Sequence, residues 1–292
     1  MTQVMTIDTN NFAAMASAMG IASEGGTAKK QSSTLARLRL NHSPILGSDK
    51  ILVKGGTYKL DVPDGGTYYG SSIKVRPYLQ RFMYKRFIKG MGDQPNRYVK
   101  TVMANDLNID LKDNDGGFNC GKPAGYIADF KSLPEKTQDL IKQIKRVRVV
   151  LGTVELVDAV DENGNEVQVD ETPFIWEIEN RDAFKSVGTL FTKLNKMKRF
   201  PVQHTMTGNS EERKLPNGNS FYLPVVSLDL SNTLELTDKE QDTFGDFLSW
   251  VENYNEYIIN AYAEKATSKN DEELDELNIN DVVDIEVDEE VA

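Results

Sequence analysis

The chain has 292 residues, a formal net charge of −11, one cysteine and two histidines. This length is sufficient for one large or two ordinary domains with a buried core. No stretch approaches the ~18 apolar residues of a spanning helix, and residues 1–26 lack a basic segment ahead of an apolar one. We therefore expect a cytoplasmic protein with no membrane span and no secretory signal. Cys120, His42 and His204 are too few and too scattered for a zinc centre, and we expect no metal and no cofactor.

The charge is divided unevenly along the chain. Residues 270–292 contain 11 acidic and no basic side chains, whereas residues 29–100 contain 15 basic and four acidic ones. Blocks of like charge repel one another and bury too little surface to offset the entropy of ordering. We therefore expect residues 268–292 to be a disordered acidic tail. A tethered polyanion of this kind competes with other polyanions for a basic surface in the same chain.

Residues 1–33 are rich in Met, Ala, Ser, Thr and Gly, which predicts a flexible N-terminal arm. We expect residues 34–267 to form a single domain. Short apolar or alternating runs separated by turn residues predict strands, and the turns Asp161–Asn165 and Asn217-Gly218 are typical of antiparallel hairpins. The predicted strands lie within residues 51–75, 98–104, 147–160, 167–179 and 220–230.

Three helices interrupt the strands in this prediction, at 133–146, at 182–198 and from Thr237 onward. The second has an apolar face and places its lysines elsewhere, and the third opens with the capping box of Thr237 and Glu240. The order of elements predicts an α+β protein with a mostly antiparallel sheet. We expect a small barrel like the oligonucleotide-binding (OB) fold, with inserted helices and a long C-terminal helix.

Residues 73–88 carry the clearest functional signal. Their alternation predicts a strand with an apolar face and a second face on which cations and aromatic rings are interleaved. Cations follow phosphates and exposed rings stack on unpaired bases, so this face is typical of single-stranded nucleic-acid binding. An alternative is that its rings form a second core layer with the cations at its rim. The candidate binding residues of this face are Lys74, Arg76, Tyr78, Phe82, Tyr84 and Arg86.

Two further groups could extend this surface. One lies near the strand, in the glycine-flanked pair of tyrosines and in the predicted strand that follows residue 96. The other is the basic side of the second helix and its end. The candidate residues are Tyr68, Tyr69, Arg97, Lys100, Lys193, Lys196, Lys198 and Arg199.

The signals for catalysis are weaker. Residues 116–122 match the start of a phosphate-binding loop, but Pro123 stands where a magnesium-binding hydroxyl is required, so we interpret the glycines as turn residues. Glu177 and Glu179 share one face of a predicted strand and either hold a metal or face solvent; we favour solvent. We therefore predict a protein that is not an enzyme. The alternatives are a virion structural or assembly protein and a metal-dependent nuclease that uses these two acids.

The chain also resembles a known family in layout. The strand at residues 145–150 (KRVRVV), the hairpin to FIWEI, the helix FKSVGTLFTKLNK and the acidic tail are similar to the phage replication single-stranded DNA-binding proteins. The resemblance covers about residues 45–292 and includes no diagnostic motif. One branch of that family carries a zinc site that this chain lacks, and another ends in an aromatic residue where this chain ends in Ala292.

The resemblance implies a single OB barrel that binds single-stranded DNA during phage DNA replication and recombination. It also implies that the acidic tail guards the DNA groove and recruits replication proteins such as a polymerase, helicase or primase. The tail residues assigned to partner binding are Asp281, Asp284, Glu286, Asp288, Glu289 and Glu290.

Overall fold

The computed structural model describes residues 35–63, 65–90, 95–215 and 218–275, with side chains described as far as residue 268. The arm predicted at residues 1–33 and the six partner-binding tail residues lie outside this part of the chain. None of the described helices is long and apolar enough to cross a membrane. The described strands are β1 Ala36–Leu40, β2 Ile45–Leu46, β3 Ile51–Val53, β4 Tyr58–Val62, β5 Gly66–Gly70, β6 Ser72–Ile88, β7 Arg97–Lys100, β8 Ile144–Val157, β9 Thr172–Ile178, β10 Met206–Lys214 and β11 Ser220–Leu228. The α-helices are α1 Glu135–Gln143, α2 Arg181–Lys196 and α3 Asp238–Asp275.

Nine of these strands form one sheet in the order β11-β10-β6-β8-β9-β1-β4-β5, with β7 pairing to the end of β6. Every pair in it is antiparallel except β1 with β9, which is parallel. The predicted α+β class with a mostly antiparallel sheet and a long C-terminal helix is therefore confirmed. Within the described residues β11 and β5 do not pair, so the sheet is not closed as a barrel.

The sheet nevertheless curls strongly, so that β4 approaches β10. The Tyr58 hydroxyl donates a hydrogen bond of 2.9 Å to the carbonyl oxygen of Asn209. The ring of Tyr222 lies so close to Gly55 and Gly56 that a Cβ at either glycine would lie within 3.0 Å of it. The glycines therefore let the β10–β11 hairpin lie against the segment that precedes β4.

A β-bulge in β6 divides this long strand into two parts. Pro77 pairs with Gly152 of β8 and Leu79 pairs with Leu151, which leaves Tyr78 as the extra residue. An extra residue reverses the alternation of side chains beyond it. Gly152 permits the bulge, because a Cβ there would lie 2.3 Å from the carbonyl oxygen of Arg76.

The bulge lets β6 contribute to cores on both faces of the sheet. Before the bulge, Ile73 and Val75 pack in a core with Phe174, Trp176 and the α2 residues Val187 and Phe191. After it, Leu79 and Met83 pack in a second core with Phe244, Phe247 and Val251 of α3. A third, smaller cluster joins Tyr84 and Val99 to Leu111 and Cys120 in the segment after β7.

Several predicted boundaries differ from the structure. The helix predicted at 133–146 ends at Gln143, because residues 144–146 begin β8 by pairing with β6. The strands β1, β2 and β10 were not predicted. The nine residues of β10 carry few apolar side chains, and the strand is held by its pairing with β6 and β11 rather than by an apolar pattern. Helix α3 continues to Asp275, beyond the boundary predicted at residue 267.

The substitution Gly152→Ala tests the bulge. We expect it to lower the free energy of unfolding by ~2 kcal/mol or more, because its Cβ would meet backbone atoms that have no room to move. Gly245→Ala in α3 is the matched control, since a Cβ there meets no atom within 4 Å. That change should stabilise the protein by about 1 kcal/mol through helix propensity. Unfolding in urea measures the stability of both variants. An equal effect of the two substitutions would contradict the role of Gly152 at the bulge.

Candidate nucleic-acid interface

The bulge at Tyr78 separates the residues that the alternation of 73–88 had placed on one face. Lys74 and Arg76 precede it and lie on the face that packs against α3. Phe82, Tyr84 and Arg86 follow it and lie on the opposite face, together with Arg146 and Arg148 of β8. The prediction of a single shared face is therefore wrong, because strict alternation over 16 residues has no place for an extra residue.

Three of the tyrosines expected at the interface are buried. Tyr78 is 3% exposed and packs edge-on against Phe247 at 5.3 Å, and its burial raises its pKa to about 12. Tyr84 is 4% exposed and Tyr69 is 3% exposed. The partly exposed Tyr68 donates a hydrogen bond of 2.6 Å to the carbonyl oxygen of Gly65. Buried rings cannot stack on a base, so Tyr69, Tyr78 and Tyr84 are not stacking residues. Tyr78 and Tyr84 are core residues, as the alternative has it, but they belong to two different clusters and not to one layer.

Arg76 fastens α3 to the sheet. Its guanidinium lies 2.8 Å from the Glu240 carboxylate, and its Nε donates to the carbonyl oxygen of Val202 at 2.8 Å. Both ends of the ion pair are mostly buried. Lys74, the neighbouring cation on this face, pairs with Glu155 at 2.9 Å in an exposed position. Arg76 therefore has a structural role, whereas Lys74 stays accessible.

The cations at the end of β6 and β7 also have partners. Arg97 pairs with Asp115 through two hydrogen bonds of 2.6 and 3.2 Å. Lys100 lies 3.7 Å from the Glu177 carboxylate. Arg86 has a buried Nε without a hydrogen-bond partner in the described part of the chain. Its guanidinium lies beside Gly121, in the segment that covers Tyr84.

A basic cleft lies between the start of β8 and the start of α2. Its volume is about 550 Å³. Four of its lining residues are cations, and Asp182 is its one lining acid among the described residues. Within the residues that the structure describes, no carboxylate forms an ion pair with any of these four cations. The lining consists of Arg146, Arg148, Arg181, Asp182, Phe184, Lys185, Gly188, Thr189 and Thr192.

Local sequence explains why these cations converge. Along β8, Val147 and Val149 face the α3 core, so Arg146 and Arg148 face the other side of the sheet. Asn180 caps α2 by accepting hydrogen bonds from the backbone amides of residues 182 and 183. Arg181, Lys185, Thr189, Thr192 and Lys196 then follow one another at intervals of three or four residues along one side of that helix.

Arg148 forms the floor of the cleft. Its guanidinium carbon lies 4.9 Å from the centre of the Phe82 ring and 4.4 Å from that of Phe184. Its Nε donates to the carbonyl oxygen of Phe184 at 3.1 Å, and its Nη1 donates to the side-chain oxygen of Gln80. Gly188 makes room for it, because a Cβ there would lie 2.2 Å from Nη2.

The Arg148 side chain is 8% exposed, and burial lowers its pKa to about 10. It therefore remains protonated at neutral pH. A charge in this position has lost much of its hydration and has no carboxylate partner in the described residues, which favours an external anion as its counterion. The two aromatic rings hold the guanidinium in place through cation–π contacts.

Basic side chains extend the cleft in two directions. Toward α1, Arg146 lies 5.8 Å from the Phe184 ring, and Lys122 lies 5.8 Å from the ring of Tyr84. Burial and the charge of Arg146 lower the pKa of Lys122, against the opposing effect of Asp110. Toward the end of α2, Lys193, Lys196 and Lys198 are exposed. Arg199, also exposed, donates to the carbonyl oxygen of Leu230 at 3.2 Å.

The structure thus brings Phe82 and the α2 lysines near a cleft whose centre was not predicted. Sequence reasoning missed Arg146, Arg148, Arg181, Phe184 and Lys185 as site residues. The alternation of cations with valines within residues 145–150 is the sequence signal that indicates a strand with a basic face there.

Glu177 and Glu179 do share one face, as predicted; Glu179 is exposed, as we favoured, whereas Glu177 is half-buried. Lys85 lies between them, at 3.1 Å from Glu177 and 2.6 Å from Glu179. The described residues include no group of three or more His, Cys, Asp and Glu side chains placed to hold a metal ion.

Comparisons with family models, curated proteins and solved structures give no match to this chain.

The structural role of Arg76 gives a testable contrast with Lys74. We expect Arg76→Met to lower the free energy of unfolding by about 3 kcal/mol, because it leaves the mostly buried Glu240 carboxylate without its counterion. Lys74→Met removes an exposed ion pair and should cost less than ~1 kcal/mol. Unfolding of both variants in guanidinium chloride measures the difference in stability. Similar stabilities would contradict a structural role for Arg76.

Proposed function

We propose that this protein binds single-stranded DNA with little sequence preference, through the basic cleft between β8 and α2, and that it acts without catalysis. The observation that carries the proposal is the buried Arg148, held against the neighbouring rings of Phe82 and Phe184 beside three further cations that have no ion-pair partner in the described residues. This combination of fixed positive charge and aromatic rings suits a strand whose phosphates and bases are both accessible.

The cations supply the affinity in this proposal. Arg146, Arg181 and Lys185 line the cleft around Arg148, and Lys193 and Lys196 continue the positive charge along α2. Each phosphate that a cation neutralises releases counterions, so binding weakens as salt rises, with a slope of about −0.7 per phosphate for single strands. Backbone phosphates are the same for every sequence, which explains the low sequence preference.

The rings supply the preference for unpaired bases. Phe184 is partly exposed and lines the cleft, and Phe82 lies beneath Arg148 at its floor. A base stacked on an aromatic side chain contributes about 1–3 kcal/mol. Bases within a duplex are stacked on one another and cannot reach a ring inside a cleft, so single strands are the favoured ligand.

The wider biological setting is also part of the proposal. The resemblance in layout points to phage DNA replication and recombination, and to recruitment of replication proteins by the acidic residues after Asp275. The likeness to an OB barrel belongs here as well. It is supported by the curl that joins Tyr58 to Asn209, in a sheet that remains open between β5 and β11.

Charge reversal inside the cleft tests the site. We expect the double variant Arg181→Glu/Lys185→Glu to bind labelled oligo-dT at least about tenfold more weakly and to reduce the salt slope by about 1.4, corresponding to two lost phosphate contacts. The control is Lys50→Glu/Lys54→Glu, which changes the net charge equally at exposed positions on either side of β3, a strand of the separate two-stranded sheet. Fluorescence anisotropy over a salt series measures both.

An equal loss of affinity in the two double variants would show that overall charge, and not this cleft, controls binding. No binding by the unaltered chain at low salt would contradict the proposal and favour the virion structural or assembly alternative.

Removal of the tail tests its competition with DNA. Truncation after Asp275 preserves helix α3 and removes seven acidic residues. We expect tighter binding to oligo-dT at low salt, because the cleft loses a tethered polyanionic competitor. A full-length chain in which the same seven residues are replaced by Asn and Gln separates charge from length and should bind as tightly as the truncated chain. Unchanged affinity in both would contradict the competition.

A further inference from the structure

A second charged pocket lies on the opposite face of the sheet from the basic cleft. Its volume is about 500 Å³, and it opens where the ends of β6, β8 and β9 meet β1 and β7. We call it the β1–β7 pocket. Its lining consists of Arg37, Leu38, Arg39, Lys85, Tyr98, Lys100, Ile175, Glu177 and Glu179.

The charges of the β1–β7 pocket differ in kind from those of the cleft. Its four cations are accompanied by two carboxylates, and Lys85 and Lys100 are already paired with Glu177 at 3.1 and 3.7 Å. Burial is the main opposing influence on the Glu177 carboxyl, yet the lysines outweigh it and lower its pKa. This network is therefore charged at neutral pH and occupies the base of the pocket.

The two arginines at the rim remain available. Arg37 is exposed, and within the described part of the chain no carboxylate lies at ion-pair distance from it. Arg39 is exposed and reaches Asp61 only at 4.0 Å. Both guanidiniums lie on one strand face, because residues 37 and 39 alternate with the buried Leu38. An arginine pair of this kind suits a phosphate, which accepts two hydrogen bonds from each planar guanidinium.

Tyr98 provides an aromatic surface beside these cations. It is 50% exposed, and Phe87 and Lys85 hold its ring at centroid distances of 5.1 and 4.8 Å. A half-exposed ring that is fixed by its neighbours suits a nucleobase, since stacking requires a flat surface and little reorganisation.

The carboxylates narrow the choice of ligand. Glu177 and Glu179 offset the charges of Lys85 and Lys100, so the remaining positive charge of the pocket lies at its arginine rim. The pocket therefore suits a ligand with an anionic end at that rim and hydrogen-bond donors at the other end, because carboxylates accept hydrogen bonds from amino groups of bases. A nucleotide has a phosphate, a flat ring and such donors.

We propose that the β1–β7 pocket binds one nucleotide, with its base on Tyr98 and its phosphate at Arg37 and Arg39. The start of β8 places Lys145 toward this face and Arg146 toward the cleft, so cations mark both sides of the same end of the sheet. A single strand of DNA that leaves the cleft and crosses this end of the sheet would supply the nucleotide. For that source the inference rests on the proposed function, whereas a free nucleotide would reach the pocket independently of it.

Photocrosslinking of the full-length protein tests the pocket and separates the two proposals. The probes are an oligo-dC that carries 5-iododeoxycytidine and, separately, 5-iododeoxycytidine monophosphate, because cytosine has the amino group from which the carboxylates would accept a hydrogen bond. Adducts are located by mass spectrometry of peptides. We expect the oligonucleotide to form adducts at two residues, Tyr98 in the pocket and Phe184 in the cleft. An adduct on Tyr98 from the monophosphate as well would identify a pocket that also accepts free nucleotides.

The pattern of adducts decides between the proposals. An adduct on Phe184 without one on Tyr98 from either probe would overturn the pocket and leave the cleft supported. An adduct on Tyr98 alone would support the pocket and contradict the cleft. No adduct at either residue from either probe would overturn both.

Two sets of variants keep the result independent of folding. Arg37→Glu/Arg39→Glu should reduce the Tyr98 adduct at least about fivefold while the Phe184 adduct changes less than twofold, and Lys50→Glu/Lys54→Glu should change neither. Tyr98→Ala should weaken strand binding about fivefold or more through lost stacking. Tyr257→Ala, at a ring on α3 that is 66% exposed, should leave binding unchanged. Equal effects of the two tyrosine variants would overturn the pocket.

Discussion

The pairing of β6 with β8 is the constraint on which the rest of this structure depends. These strands form the longest ladder in the sheet, and its one irregularity is the bulge between Pro77 and Leu79. Because side chains alternate with a period of two, one extra residue moves every later side chain of β6 to the other face. The same strand therefore supplies apolar residues to the α2 core before the bulge and to the α3 core after it.

This reversal also distributes the charges. Arg76 lies on the α3 face before the bulge, where its ion pair with Glu240 fastens the start of that helix. Phe82 lies on the α2 face after it, where it supports Arg148. Lys85, three residues later, is on the α3 face again and joins the carboxylates of the β1–β7 pocket. Two charged sites of different composition thus lie on opposite faces at one end of the sheet.

The two sites differ in how their positive charges are compensated. Lys85 and Lys100 have nearby carboxylates, so the base of the β1–β7 pocket is electrostatically satisfied by the protein itself. Arg148 contacts hydrogen-bond acceptors and aromatic faces but forms no ion pair with a carboxylate of the described residues, and burial lowers its pKa to about 10 without neutralising it. A desolvated cation without an acid is a costly arrangement in a folded chain, and such arrangements are common where a protein binds an anion.

The sequence by itself determined the class of fold and the existence of most elements. Alternating apolar runs and Asn-Gly turns predicted antiparallel strands, and the capping box of Thr237 and Glu240 predicted the start of the long helix, where the Glu240 carboxylate does accept a hydrogen bond from the Thr237 backbone amide. The sequence also showed that cations and aromatic residues cluster in residues 73–88 and along α2. These features depend on local patterns, which neighbouring residues alone determine.

Only the tertiary structure decided which of those residues share a surface. The bulge at Tyr78 needs Gly152, which is 74 positions away in the chain, and its one local signal in β6 is Pro77, which cannot donate a hydrogen bond to the ladder. The burial of Tyr69, Tyr78 and Tyr84 depends on elements that cover them from distant parts of the sequence. The position of Arg148 likewise depends on space provided by Gly188 in α2. Periodicity predicts that side chains alternate between two faces of a strand, but long-range packing decides which residues each face contacts.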